Sequence, residues 1–340
     1  MTDIRTRKPT GRAPWPLVLL EGEEKSGKTY AALALSASDK VGVTYAFDLG
    51  EGSLDEYAAL GPFEIIDHDG SYRDFVGQLE AVLALPVDPA KPTVVVIDSM
   101  SALWSALSDE ATESARRSKA NAEALRKDPD AEVTVTMDKW NVAKRKWRRV
   151  MDQLMAYPGI VVVTARGKEV AIVEGGKPRR DGAKEWKVEG EKSLAFDASC
   201  WVRLTRPRRA ALIGVRSLTL TVPEGREMVL PGFSLEKLVF EQLGLTAANT
   251  APRQVTVATS DSRQDDAAWL TEWRAKVVQA DTLDALRALY EEMTARSQRG
   301  GLTDDDRVDA SALVSECKAA MVKAQDAHRL ELANKHAVSA

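Results

Sequence analysis

Residues 22–29 read Gly-Glu-Glu-Lys-Ser-Gly-Lys-Thr, between an apolar run (PLVLL, 16–20) and a small-residue helical stretch (YAALALSAS). Two glycines five apart, then lysine and threonine, placed after a strand and before a helix, have the spacing of a loop that cradles phosphates. Glycine lets the backbone curl until successive N–H groups point inward, and the following helix adds the positive end of its dipole. On this reading Gly22, Glu23, Glu24, Lys25, Ser26, Gly27, Lys28, Thr29 and Tyr30 surround the triphosphate of ATP. The Lys28 ammonium reaches the β- and γ-phosphates, and the Thr29 hydroxyl holds Mg²⁺.

Hydrolysis needs a second side to this site: a group that completes the Mg²⁺ shell and one that orients the attacking water. Asp98 ends the strand TVVVID and delivers a carboxylate to the sheet edge where the glycine loop also lies. The water-orienting acid is sought in YAFDLGEGSLDEYAALG (45–61), which offers Asp48 and Glu51. Glu51 is favoured because it lies just past the strand, within reach of a γ-phosphate. A third candidate is Thr164, at the end of GIVVVT (159–164), where a polar side chain can sense that phosphate.

The elements that must position these residues follow from the hydrophobic pattern. Strands are predicted at 16–21, 43–48, 63–67, 93–98 and 159–164, and helices at 28–37, 71–84, 99–107 and 138–156. The unbroken apolar character of TVVVI and IVVV suits central parallel strands buried on both faces. Alternation of strand and helix predicts an α/β fold with a mostly parallel sheet. Beyond 166 the pattern predicts a hairpin-rich, partly antiparallel extension (AIVE, SCWVRLTR, AALIGVRSLTLTV), closed by a helix at 234–244. Residues 1–13 read as a disordered basic arm, 14–244 as the core, 245–265 as a flexible linker and 266–340 as a small α-helical appendage.

The 340 residues are 44% hydrophobic and 29% charged, with a net charge of −4. That charge resides in residues 261–340, with 15 acids against 11 bases, while residues 1–260 balance at 36 of each. No apolar run approaches the ~20 residues that span a bilayer, and the polar start predicts neither a secretory signal nor a membrane partner. Cys200 and Cys317 are far apart, which suits thiols in a reducing cytoplasm, and three scattered histidines do not suggest zinc.

Taken in order, these segments resemble the RecA-like recombinase core. GEEKSGKT is similar to its phosphate loop, AFDLGEGSLDEYAALG to the segment carrying its catalytic glutamate, VVVIDSMSAL to its Mg²⁺-site strand and LAFDASCWVRLTR to a late core strand. The size and the Thr164-Ala165-Arg166 ending resemble the phage RecA-like, Sak-type ATPases, over roughly 14–243. The resemblance implies a RecA-like P-loop NTPase core, ATP and Mg²⁺ as cofactors, and a role in single-strand annealing or recombination. Two departures stand out. One extra residue separates Asp48 from Glu51, and Thr164-Ala165-Arg166 replaces a sensing glutamine.

The same resemblance places mobile loops lining a DNA channel at about 108–139 and 166–192. The second holds Arg166, Lys168, Lys177, Arg179, Arg180, Lys184, Lys187 and Lys192 against six acids, with Trp186 among them. Cations for phosphates and a ring for base stacking are what single-stranded DNA binding needs. On helix 138–156, Trp140, Ala143, Trp147, Val150 and Leu154 fall on one stripe and are predicted core. The basic residues of that helix (Lys144, Arg145, Lys146, Arg148, Arg149) face outward. The resemblance further implies a homo-oligomer, ring or filament, with a basic group acting in trans on the nucleotide. Lys187 and Lys192, or Arg179 and Arg180, are the candidates.

The leading expectation is thus a DNA-dependent ATPase of recombination. The alternatives are a helicase or loader motor on the same core and a nucleotide-gated binding protein with negligible turnover. A small-molecule kinase fits less well, since such kinases usually carry a lid of clustered arginines and need no pliant Trp-Lys loop. The acidic appendage is read as a docking site for a single-strand-binding or replisome protein, or as a brake competing with DNA.

Overall fold

Valines and isoleucines in unbroken runs can bury both faces of a strand only if helices cover the sheet on each side. The computed structural model has that form. It describes residues 4, 6–88, 90–174, 177–178, 181–206, 209–223, 226–253, 261–298, 302 and 304–338, with backbone alone at 173–174, 177–178, 261–265, 304–305 and 324–338. The first part of the chain runs β1 (Leu17–Gly22), α1 (Lys28–Leu33), β2 (Thr44–Asp48), β3 (Glu64–Ile65), α2 (Tyr72–Leu83), β4 (Val94–Asp98), α3 (Met100–Arg116), α4 (Lys119–Lys127) and α5 (Met137–Ala156). It continues through β5 (Ile160–Ala171), β6 (Val173–Glu174), β7 (Lys177–Pro178), β8 (Lys184–Glu189), α6 (Leu194–Asp197), β9 (Cys200–Thr205), β10 (Arg209–Val215) and β11 (Met228–Val229). A helical turn of π geometry, Lys237–Gln242, closes it.

The central strands lie in the order β9-β1-β5-β4-β2-β3, all parallel. β10 and β11 extend the β9 edge antiparallel, and β8 pairs antiparallel with the far end of β5. This is the RecA-like P-loop NTPase fold expected of the sequence. Strand alternation sends Leu17, Leu19, Val95, Ile97, Val161 and Val163 to one face, against α2, α3 and α5. Val18, Leu20, Val94, Val96, Ile160 and Val162 go to the other, against α1 and the Lys237–Gln242 turn. Each fully buried aliphatic side chain contributes about 1.5–3 kcal/mol. On α5 the predicted stripe packs inward: Trp147 is fully buried and meets Trp104 edge-on at 5.8 Å.

Three expectations need correcting. The loop placed at 108–139 is helical over most of its length. α3 runs on to Arg116, and α4 is capped by Ser118, whose hydroxyl accepts from the Asn121 amide. Buried Asn121 then ties down the extended stretch that follows, donating to the carbonyls of Ala115 and Thr134. The strand expected through SLTLTV stops at Val215, because the Ser217 hydroxyl caps a local turn by accepting from Thr219 and Leu220 amides. The flexible linker predicted from 245 is held as far as Arg253. Thr250 bridges Ala13 of the arm predicted to be disordered, and Arg253 donates to the Ser199 hydroxyl at 2.9 Å.

The chain divides into two compact units, Met1–Val255 and Thr256–Ala340. The second contains α7 (Asp261–Gln279), α8 (Leu283–Gln298) and α9 (Asp304–Val338) around Leu270, Trp273, Val277, Leu286, Met293, Ala310 and Val314. Trp273 donates its indole N–H to the Leu289 carbonyl, and Trp269 stacks on it at 6.0 Å. Among the described residues no helix is long and apolar enough to cross a membrane.

Candidate active site

β1, β4 and β5 run parallel, so their carboxyl ends share one edge of the sheet, and the loop from Gly22 to Lys28 opens there. Gly22 lies so close to β9 that a Cβ would sit 1.9 Å from the Leu204 carbonyl oxygen. Lys25 and Gly27 take φ of +54° and +94°, the left-handed turns that curl the loop. The Ser26 hydroxyl closes the curl by donating to the Glu23 carbonyl at 2.8 Å. Lys28 folds back along it, donating to the carbonyls of Gly22 (3.0 Å) and Glu23 (2.7 Å). Burial lowers the Lys28 pKa, while the charges of Asp98 and Glu51 oppose that shift. Glu23 and Glu24 point outward to Arg206, at 3.6 and 3.9 Å, and Tyr30 is exposed on α1.

Asp98 faces the loop from the end of β4. It is nearly buried and accepts from the Thr29 hydroxyl at 2.5 Å and from the Thr164 hydroxyl on its other oxygen. Burial pushes its carboxyl above the ordinary aspartate value, and the two hydroxyl donors pull the other way. A carboxylate in contact with a threonine hydroxyl is a hard oxygen pair of the kind that holds Mg²⁺ together with phosphate oxygens. No group of three or more His, Cys, Asp or Glu side chains gathers among the described residues. Thr164 does not present a free hydroxyl to a nucleotide. It is fully buried and donates to Asp98, an arrangement unlike the free hydroxyl that the sensing expectation called for.

The structure separates Asp48 from Glu51. Both Asp48 oxygens are occupied by backbone amides of its own loop: Glu51 (3.0 Å) and Gly52 (2.9 Å) on one, Ser53 (2.8 Å) and Leu54 (3.4 Å) on the other. That carboxylate shapes the turn. Glu51 stands free of the backbone and meets Arg166 instead, Oε1 to Nη2 at 2.9 Å, with side chains 40% and 54% exposed. Arg166 leaves β5 in register with Gly22 of β1, and its amide donates to Ser101 on α3 at 2.8 Å. The cation predicted to meet DNA is therefore paired with Glu51.

A second departure concerns Trp186, predicted as a stacking platform. Its indole N–H donates to Glu21 at 2.5 Å, and Arg203 lies 4.5 Å over its ring. Glu21, fully buried one residue before the phosphate loop, also accepts from Arg203 at 2.7 Å. Burial raises the Glu21 carboxyl, against the pull of Arg203 and Trp186. Trp186 thus anchors the β5–β8 hairpin to β1 and is not a free surface for bases. Sequence reading missed this hub, although a carboxylate ending an otherwise apolar strand was its signal.

Of the other predicted DNA contacts, Lys168 pairs with Glu189 and Lys184 with Glu169 across the hairpin. Lys187 and Lys192 are exposed, with no ion-pair partner among the described residues. The same holds for Lys144 and Arg145 on α5, whereas Lys146, Arg148 and Arg149 pair with Glu110, Asp197 and Glu80. Arg179, Arg180 and the Lys177 side chain lie outside the described residues.

One protein family, described as AAA domain, matches the chain over residues 16–193. No curated protein matches it. Among solved structures, the RadB recombinase is similar at 20% identity and a TM-score of 0.33, covering 61% of this chain and 84% of that one. An ATPase from the type III secretion system of pathogenic bacteria is similar at 12% identity and a TM-score of 0.30, covering 90% and 80%.

Proposed function

The chain belongs to the AAA domain family, and from that premise we propose that it hydrolyses ATP with magnesium and that single-stranded DNA drives its turnover. The observation that carries the reading is the 2.5 Å contact between Thr29, beside Lys28, and Asp98. Two segments 69 residues apart in sequence meet there with the donor set a magnesium triphosphate needs.

In this reading the curled backbone binds the phosphates, and Lys28 exchanges its carbonyl partners for phosphate oxygens. Thr29 and Asp98 would hold Mg²⁺, which when bound neutralises charge on the phosphate oxygens. Thr164 keeps the Asp98 carboxylate turned toward Thr29. Glu51 orients the attacking water, because Asp48 has no free oxygen for that work. The exposed cations Lys187, Lys192, Lys144 and Arg145 are the proposed contacts for DNA phosphates, and Lys187 or Lys192 the proposed donor to a neighbouring subunit's nucleotide in a ring or filament. Annealing or strand exchange is the activity such an assembly would support.

The deciding experiment is ATP turnover with and without single-stranded DNA, in the parent and in Lys28→Ala. We expect stimulation in the parent and turnover reduced at least about 100-fold in the variant. Turnover indifferent to DNA would remove the recombination reading and leave an ATPase. A second reading draws support from the Glu51–Arg166 pair: with its acid occupied, the protein would act as a nucleotide-gated binder of negligible turnover. In that case Glu51→Gln would leave the slow turnover unchanged.

A further inference from the structure

His68 lies just past β3, beside the loop that carries Glu51 away from β2. β3 runs parallel to β2, and the Ile66 amide continues that pairing by donating to the Ala46 carbonyl at 2.9 Å. The next carbonyl along β2 on that side, Asp48, is met by a side chain: His68 Nε2 lies 2.8 Å from its oxygen, while the Gly70 amide lies 3.1 Å from Nδ1. A carbonyl oxygen only accepts and a backbone N–H only donates, so the two contacts select the neutral ring with its proton on Nε2. Gly70 makes the turn at φ +83°, which glycine adopts without a Cβ clash. The ring also packs edge-on against Phe75 of α2 at 6.2 Å, and Phe75 meets Phe47 of β2 at 5.5 Å. The peptide joining Asp48 to Leu49 is thereby held on both sides, its carbonyl by His68 and its N–H by the Asp98 carbonyl at 2.6 Å. The Asp48 carboxylate then gathers the amides of residues 51–54, so the direction in which Glu51 leaves the loop follows from that one peptide.

We propose that His68 is a positioning residue for ATP hydrolysis: its Nε2–H fixes the Asp48–Leu49 peptide and, through it, the place from which Glu51 reaches toward the γ-phosphate. The proposal rests on the reading of Glu51 as the group that orients the attacking water, and it adds a side chain that need touch neither nucleotide nor metal. The Lys28 loop closes on its own carbonyls, so a lost His68 bond should be felt in kcat and not in KM. Two substitutions separate the two halves of the ring's work. Counted in bonds from Cα, a glutamine amide nitrogen takes the place of Nε2 and keeps the donor to the Asp48 carbonyl. An asparagine carbonyl oxygen takes the place of Nδ1 and keeps the acceptor for the Gly70 amide.

The test is steady-state ATP turnover and urea unfolding of the full-length protein in the parent, His68→Gln, His68→Asn, Glu51→Gln and the double variant His68→Asn with Glu51→Gln. His68→Gln should keep kcat within about threefold of the parent, while His68→Asn should lose about tenfold with KM within about twofold, since a misplaced acid slows the step without loosening the nucleotide. In the double variant His68→Asn should cost nothing beyond Glu51→Gln, because the acid it positions is gone. A histidine that only shapes the entry to α2 gives the reverse order, with His68→Asn the better enzyme and losses that follow the unfolding midpoints. That order, equal turnover in the two single His68 variants, or additive losses in the double variant overturns the proposal and leaves the ATP site standing. Glu51→Gln turning over like the parent removes the water-orienting reading and this proposal with it. A parent without turnover overturns both the proposal and the ATPase reading.

Discussion

At the scale of single residues, the site pays for its chemistry in stability, and Asp98 is the clearest case. Its carboxyl is raised by burial above the unfolded value of 3.8. The folded state then binds more protons than the unfolded state in the window just above that value. Stability is greatest below it and declines as pH rises through the folded pKa. Asp98→Asn removes that decline, since an amide keeps the shape without the buried charge. We expect the variant to melt at or above the parent temperature at pH 7, to show a flatter stability profile between pH 4 and 7, and to lose turnover about 100-fold or more. Parallel profiles for parent and variant, measured by thermal unfolding across that range, would show that Asp98 does not bear this cost. The curl of the glycine loop was legible in sequence because the loop is contiguous and its spacing is dictated by backbone geometry. The partner of the Thr164 hydroxyl, Asp98, was not legible, since a sequence cannot say which way a strand-end hydroxyl points. The partner of Glu51 was hidden by distance: Arg166 is 115 residues away and looked like one basic residue among eight.

At the scale of elements, the β5–β8 hairpin is fastened to the strand that feeds the phosphate loop. Gly167 makes the approach possible, because a Cβ there would lie 2.2 Å from a Glu21 carboxylate oxygen and 2.6 Å from the Trp186 indole nitrogen. Gly167→Ala should therefore force the hub apart and cost about 1–3 kcal/mol, as overpacking does. Trp186→Phe keeps the ring but removes a donor from a buried carboxylate, at about 1–3 kcal/mol. Both are read from urea unfolding midpoints, and because the two changes break one network their effects should not add. Additive losses would mean that the indole hydrogen bond and the close approach at Gly167 act separately. The central strands could be read directly from valine runs, which suit a sheet covered on both sides. The α3–α4 stretch could not, although its alanines, glutamates and arginines favour helix and Ser118 is a good cap. Polarity and the resemblance to a channel-lining loop outweighed that local signal. Glu21 itself carried a signal, but its partners lay beyond reach because Trp186 and Arg203 meet it only through strand pairing across 165 and 182 residues.

At the scale of the whole molecule, every residue proposed for the nucleotide site lies in the unit ending at Val255, and the unit beyond carries the excess of acid. The first unit has its own two-sided core. A chain ending at Val255 should therefore unfold cooperatively and retain ATP turnover within about twofold of the parent. Its behaviour toward DNA should differ, for a reason that depends on charge and not on any particular contact. Residues 261–340 contribute a net −4, which repels a polyanion through the field of the whole protein. That repulsion reaches across about 20–30 Å in dilute salt and only ~8 Å at physiological ionic strength. Removing the second unit should tighten single-stranded DNA binding at about 20 mM salt, and the gain should vanish by about 200 mM. Titrations of labelled oligonucleotide with both chains across that series decide the matter. A gain that persists at high salt would point instead to a direct brake, in which the acidic helices compete for the cations proposed to meet DNA. A loss of affinity at every salt concentration would mean that the helical unit itself supplies part of the DNA surface.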